Sequence, residues 1–199
     1  MTAATRDRPF DDDSAWGSIR EMWDIPPGLT YLNHGGYGYV PRAVLEAKAR
    51  YFAEIAANPM GVFCHELEDR LLPIRDSVAD LFGSGRGDLV LVENATYGVN
   101  AVAASVNLRP GDEVLLTEHE YGAVFIIWGR KCAESGATLV TADMPWPVKG
   151  DDQLVEAITS AITDRTRLLV FSHVTSSPAV RMPAQKICAD ARARGVLTC

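Results

Sequence analysis

The stretch EVLLTEHEYGAVFIIWGRKCAESGATLVT, residues 113–141, places an apolar run, a helical pattern and a second apolar run in succession. The first run, Glu113–Thr117, follows the turn-forming Pro110-Gly111-Asp112 and predicts a short buried strand. Residues 122–135 have the length and composition of a helix, and residues 138–141 predict a second strand. A strand, a helix and a strand in this order predict a βαβ unit with parallel strands.

The same alternation continues on both sides of this stretch. The further predicted strands are 89–92, 167–171 and 196–198, and the further helices of this region are 96–107, 154–161 and 183–194. Upstream, a helix is expected to begin at Pro41, and residues 67–81 predict an amphipathic helix that Pro73 either kinks or forces to start afresh. We therefore expect an α/β fold with a mostly parallel sheet flanked by helices.

Composition and charge narrow the possible partners. The 199 residues are 47% hydrophobic and 23% charged, and the net charge is −7, which argues against a nucleic-acid or anionic-membrane partner. The four cysteines stand far apart without zinc-like spacing, so we expect reduced thiols, no metal and a cytoplasmic protein. Neither a signal peptide nor a membrane span is expected from the apolar runs.

Three domain segments are predicted along the chain: an N-terminal arm at 1–27, a helical segment at 28–82 and a partial α/β large domain at 83–199. The chain ends at Cys199, directly after the short predicted strand 196–198. Because a buried strand needs a following turn and cover, we expect the sequence to be truncated within its large domain.

Polar clusters follow three of the predicted strands. Glu93-Asn94-Ala95-Thr96 leads directly into a helix, whose first amides and the Thr96 hydroxyl could bind a phosphate. Tyr121 follows the next strand and could lie flat on a heterocycle, and hydroxyls from Ser172 to Ser177 follow a third. Each cluster also fits an ordinary helix cap, loop tyrosine or turn, but parallel strands bring all three to the edge where open α/β sheets bind ligands.

These clusters resemble motifs of one family. Asn94-Ala95-Thr96, Glu120-Tyr121-Gly122-Ala123 and Ser172-His173-Val174-Thr175-Ser176 are similar, in order and spacing, to the class V aminotransferases, which depend on pyridoxal 5′-phosphate (PLP). With the segment YLNHGGYG at residues 31–38, the chain looks most like the isopenicillin N epimerase-like branch, which is related to cysteine desulfurases. The resemblance covers residues 28–199 and implies the large-domain fold of type I PLP-dependent transferases.

The resemblance also implies roles for single residues. Asn94, Ala95 and Thr96 match the segment that holds the PLP phosphate, and Tyr121 matches the position that stacks on the pyridine ring. Ser176, with Thr175 beside it, matches a position near the 3-hydroxyl of the ring. Asn33 and His34 match the segment that lines the substrate side.

The lysine that forms a Schiff base with PLP lies further along the chain in this family. None of Lys48, Lys131, Lys149 and Lys186 matches its motif. The resemblance thus implies the N-terminal portion of a homodimeric enzyme that acts on an amino acid or amine as an epimerase, a C–S lyase (desulfurase) or an aminotransferase. The alternative is a non-catalytic truncated chain or pseudoenzyme that acts as an assembly partner.

Overall fold

A computed structural model describes residues 13–199, with side chains from residue 16 onward. The chain divides into two units, Met1–Val90 and Leu91–Cys199. Residues 1–12 of the predicted arm lie outside the described residues. The segment boundaries predicted at residues 27 and 82 stay predictions.

Helices make up the regular structure described in the first unit: α1 Asp13–Arg20, α2 Arg42–Ala57, the single turn α3 Pro59–Gly61 and α4 Leu67–Phe82. A π-helical turn, Val62–Glu66, leads into α4. As predicted, α2 begins directly after Pro41. The helix α4 runs through Pro73 as one element, so the expectation of a fresh start there is wrong, and it ends at Gly83 with a φ of 67°.

The second unit contains a four-stranded sheet in the order β2-β1-β3-β4, and every pair of neighbours is parallel. Its elements in chain order are α5 Ala95–Ser105, β1 Glu113–Thr117, α6 Gly122–Ser135, β2 Thr138–Ala142, α7 Asp151–Ser160, β3 Thr166–Val170, α8 Ala184–Ala193 and β4 Leu197–Thr198. The parallel sheet flanked by helices confirms the predicted fold class.

The sheet separates two apolar cores, because successive strand residues face opposite sides. On one side, Leu115 and Leu169 pack with Leu154 and Ile158 of α7 and with Ile187 of α8. On the other side, the alternate strand residues pack with helices α5 and α6; this core contains Val114, Leu116, Leu168, Val170, Ala103, Trp128 and Cys132. Both faces of the sheet are therefore covered, as continuously apolar strands predict.

The predicted strand at 89–92 is wrong. A 3₁₀ turn, Arg86–Asp88, precedes these residues, and they belong to none of the strands described in residues 13–199. Val90 is 77% exposed, and both Leu91 and Val92 are 45% exposed. An apolar run of four residues suits a strand, but a strand also needs a neighbour to accept its hydrogen bonds.

None of the helices in the described part of the chain is both long and apolar enough to cross a membrane.

Candidate active site at the carboxyl edge of the sheet

The strands β1, β2 and β3 are parallel, with one register shift between β1 and β3 at Glu113 and Val114, and they end at one edge of the sheet, at Thr117, Ala142 and Val170. Helix α5 packs beside α6, and α6 runs from the carboxyl end of β1 to the beginning of β2. After α5 the chain returns to the beginning of β1, where the amide of Gly111 donates to the carbonyl of Gly136 behind α6, at 3.1 Å. The first turn of α5 therefore points to the same edge as the carboxyl ends of the strands.

The beginning of α5 leaves two amides without an acceptor in the helix. The Asn94 Oδ1 accepts from the Tyr97 amide at 2.9 Å, and the Asn94 carbonyl accepts from the Gly98 amide at 3.1 Å. The amides of Ala95 and Thr96 precede these bonds and have no intrahelical partner. The capping role considered for Asn94 is thus observed, and it leaves two N–H groups and the exposed Thr96 hydroxyl for an anion.

Tyr121 lies at the boundary between the loop after β1 and helix α6. Its carbonyl accepts from the Val124 amide at 2.8 Å, which starts the helix and fixes the backbone of Tyr121. The side chain is 60% exposed. An exposed aromatic ring on a fixed backbone offers a face against which a planar heterocycle can pack.

The loop after β3 is closed by its own hydrogen bonds. The Thr175 amide donates to the Val180 carbonyl at 3.0 Å, and the Val180 amide donates to the Thr175 Oγ1 at 2.9 Å. Met182 donates from its amide to the His173 carbonyl at 2.7 Å. Thr175 is buried, whereas Ser176 is exposed at the tip of this loop.

Glu120 joins the loops after β1 and β3, and the sequence interpretation assigned it no role. Its buried carboxylate accepts hydrogen bonds from Thr117 and from Ser172, which lies 52 residues further along the chain. The local signal was an acidic residue in a polar cluster directly after a buried strand, but its partner could not be read from spacing.

The first turn of α5 has no hydrogen bond to either loop among the described residues, and its place at this edge follows from the course of the helix. Two residues before Tyr121 in the chain, the Nδ1 of His119 is buried without a hydrogen-bond partner in the described part of the chain. This ring nitrogen is a polar group that a bound molecule could satisfy.

Asn33 and His34 lie in the first unit, within a tight turn. The Asn33 carbonyl accepts from the Tyr37 amide at 3.0 Å, and a Cβ on Gly36 would stand 3.0 Å from the Asn33 Oδ1, so glycine allows this close approach. The His34 ring meets the Tyr31 ring edge to face at 5.0 Å between centroids. Their substrate-side role stays a prediction.

The donor set in the second unit fits PLP chemically. Two backbone amides and a hydroxyl at a helix N-terminus suit a phosphate dianion, and they supply neutral hydrogen-bond donors with the positive end of the helix dipole. The exposed Tyr121 ring suits a pyridine ring, and the exposed Ser176 hydroxyl suits a ring oxygen.

Solved structures share this fold. The chain superposes on a C-DES mutant with glycine covalently linked to the PLP cofactor, with a TM-score of 0.78, 23% identity, and coverage of 90% of this chain and 47% of that one. The cysteine desulfurase CsdA from Escherichia coli gives a TM-score of 0.71 at 22% identity, with coverage of 91% of this chain and 47% of that one. The fold of this chain is thus that of the part of these two proteins that it covers.

Sequence comparison gives the family. Residues 30–199 match the model of the aminotransferase class-V family, and the chain belongs to that family, as its motifs suggested. It is 38% identical over 188 residues to the isopenicillin N epimerase of Amycolatopsis lactamdurans, covering 93% of this chain and 47% of that protein. It is 31% identical to a putative L-cysteine desulfhydrase of Oryza sativa subsp. japonica, covering 85% of this chain and 38% of that protein. The chain spans about half the length of this epimerase and 38% of the length of this desulfhydrase.

Proposed function

We propose that this chain forms the phosphate-binding and ring-binding part of a PLP-dependent enzyme that acts on an amino acid or amine. The observations that carry the proposal are the pair of amides at Ala95 and Thr96 without an intrahelical partner and the exposed ring of Tyr121 at the beginning of α6. Membership of the aminotransferase class-V family supports PLP as the ligand.

Each residue has a distinct task in this proposal. Ala95 and Thr96 hold the phosphate through their amides and the Thr96 hydroxyl, while Asn94 keeps the first turn of α5 formed. Tyr121 packs against the ring and excludes water from one face. Ser176, supported by the closed loop around Thr175, donates towards the 3-hydroxyl of the ring. Bound PLP supplies an electron sink for the α-carbon of an amino acid.

The reaction types that fit are epimerisation, C–S bond cleavage and transamination. The two named relatives above, an epimerase and a putative desulfhydrase, favour the first two. We propose that Asn33 and His34 line the substrate side. A homodimer and a cytoplasmic location stay predictions.

We further propose that none of the four lysines of this chain forms the Schiff base with PLP. Lys186 is engaged elsewhere, because its Nζ lies 2.9 Å from the Asp152 carboxylate, and this hydrogen bond raises the pKa of Lys186. None of the four lysines matches the lysine motif of the family. Lys48 lies on helix α2 of the first unit, where its Nζ stands 5.9 Å from the centroid of the Phe52 ring.

This proposal on the lysines is tested by mixing the 199-residue chain with PLP, treating it with borohydride and mapping the product by mass spectrometry. We expect no lysine to carry a fixed adduct at stoichiometric yield. A stoichiometric adduct at one of the four would overturn the proposal.

The proposed function itself is tested by PLP titration of the full-length natural protein and its Thr96→Ala variant. Loss of one hydrogen bond to a charged phosphate should cost about 1.5–3 kcal/mol of binding free energy. The matched control is Thr138→Ala, which makes the same change at an exposed residue at the opposite edge of the sheet and should bind PLP like the wild type. Equal PLP affinity in all three proteins, or no PLP binding by the wild type, would contradict the proposed function.

A further inference from the structure

Glu120 is a buried acidic residue. Its carboxylate accepts hydrogen bonds from neutral donors at the end of β1 and just after β3. The residue is 8% exposed. Its Oε1 accepts from the Thr117 hydroxyl at 2.6 Å, its Oε2 accepts from the Ser172 hydroxyl at 2.6 Å, and both oxygens lie 3.1 Å from the Ser172 amide nitrogen. Because burying an acidic side chain is costly unless its oxygens are hydrogen-bonded, these donors fix the side chain in one position.

The two loops that Glu120 joins carry the proposed ring contacts. Tyr121 follows Glu120 directly, so its backbone is fixed by the Glu120 side chain on one side and by helix α6 on the other. Ser172 precedes the closed loop of residues 173–182, which presents Ser176. Both donors of Ser172 are used by Glu120, so the beginning of the loop is anchored through that residue.

A second acidic residue in the same loop makes a comparable link on the other side of β1. The Glu118 Oε1 accepts from the Met144 amide at 2.6 Å, and the Glu118 amide donates to the Ala142 carbonyl at 3.1 Å. Glu118 thus joins the end of β1 to the end of β2, which carries none of the proposed PLP contacts. The two acidic residues share one loop but anchor different neighbours.

We propose that Glu120 is a positioning residue for the cofactor, which sets the spacing between the Tyr121 ring and the Ser176 hydroxyl. The inference rests on the proposed function, because it takes PLP as the molecule held between these groups. Without the Glu120 link, no hydrogen bond among the described residues joins the two loops, and the ring contacts no longer have a fixed separation.

The test compares PLP binding by the full-length natural protein with its Glu120→Gln, Ser172→Ala and Glu118→Gln variants. Glutamine replaces one carboxylate oxygen, an acceptor, by an NH2 group, which is a donor. This NH2 group either faces the Ser172 amide, which is also a donor, or stands where an oxygen accepted from a hydroxyl. We expect PLP affinity to fall about tenfold in Glu120→Gln and less in Ser172→Ala. The circular dichroism of bound PLP, which reports how the ring is held, should change in both variants.

The double variant Glu120→Gln/Ser172→Ala distinguishes positioning from general damage. Because both changes remove the same link, the PLP affinity of the double variant should lie at most about twofold below that of Glu120→Gln. Glu118→Gln makes the same chemical change two residues away and should leave the PLP affinity and the circular dichroism unchanged. Ser172→Ala, which keeps the amide contact, serves if Glu120→Gln does not fold.

The outcomes separate the inference from the proposed function. If the wild type binds PLP and Glu120→Gln binds it equally well, or if Glu118→Gln weakens binding as much, the inference is wrong and the proposed function stands. An additive loss in the double variant would also overturn it. If the wild type does not bind PLP, the proposed function is wrong and the inference falls with it.

Discussion

The two units of the chain use similar amphipathic helices with opposite results. In the second unit, Leu154 and Ile158 of α7 are 1% and 0% exposed against the sheet. In the first unit, Ile74 and Leu81 of α4, which follow the same kind of spacing, are 49% and 79% exposed. The difference teaches that helical periodicity predicts a helix, whereas burial depends on whether a second surface covers its apolar side.

The buried residues show the same contrast. Of the residues whose side chains are described in the first unit, 16–90, Val62 and Ala79 are the buried ones. The second unit holds two apolar cores, one on each face of its sheet. Because buried apolar area is the main source of folding stability, we expect the second unit to be the more stable part of the chain.

The largest expected effect of this contrast is in amide hydrogen exchange. Amides of β1 and β3, whose strands lie between two cores, should exchange about a hundredfold or more slowly than amides in the middle of α2 and α4. Hydrogen-exchange mass spectrometry of the 199-residue chain measures both regions in one sample. Equal protection in the two units would break the comparison.

The next effect is the change in the free energy of unfolding when a leucine on a helix is replaced by alanine. Each unit offers one such leucine. Leu154→Ala should lower the free energy of unfolding by about 2–5 kcal/mol, since it leaves a cavity beside the sheet. Leu81→Ala, at a residue 79% exposed, should change it by less than about 0.5 kcal/mol. Urea denaturation checks both values, and a large cost for Leu81→Ala would show that this leucine is covered in solution.

A smaller effect is expected at Glu113, which is buried at the beginning of β1. The Thr163 hydroxyl, 2.5 Å from its carboxylate, and the Arg165 guanidinium hold the pKa of Glu113 below its usual range, against the opposing effect of burial. A lowered pKa means that the ionised group stabilises the fold above the ordinary glutamate range, and that this stabilisation is lost as the pH falls through the lowered pKa.

Glu113→Gln should therefore lower the free energy of unfolding by about 1–3 kcal/mol at neutral pH. The difference from the wild type should shrink as the pH falls below the ordinary glutamate range. The comparison in the first unit is Glu54→Gln, which removes an exposed ion pair with Arg70 and should have no measurable effect. A pH series of urea denaturation curves measures both, and a Glu113→Gln difference independent of pH would contradict the assignment.

The smallest expected effect concerns two asparagine caps. The Asn94 side chain caps the 11-residue helix α5, and the Asn58 side chain caps the three-residue helix α3 through the Gly61 amide at 3.0 Å. Asn94→Ala should cost about 1 kcal/mol of unfolding free energy, and Asn58→Ala should cost less, because the cap of a single turn supports few contacts. Thermal unfolding of the two variants gives the comparison, and a larger loss for Asn58→Ala would reverse it.

Much of the second unit could be predicted from the sequence, because its signals are local. The strand Glu113–Thr117 and the helix Gly122–Ser135 have the bounds that apolar pattern and length indicated. The predicted strand at 89–92 failed because the pairing of a strand depends on a distant neighbour. The link from Glu120 to Ser172 was missed for the same reason, since its partner lies 52 residues away.

The candidate site was predicted in part. The cap at Asn94 follows from local sequence, whereas the exposure of Tyr121 is known from the structure, and family membership is confirmed by the match over residues 30–199. The roles of Thr96, Tyr121 and Ser176 towards a cofactor depend on contacts with PLP and stay predictions.

The most direct measurement is a crystal structure of the full-length natural protein with PLP bound. We predict phosphate oxygens within about 3.2 Å of the Ala95 and Thr96 amide nitrogens and the pyridine ring packed on Tyr121. A phosphate held at any other helix or loop, with the first turn of α5 left in solvent, would contradict it.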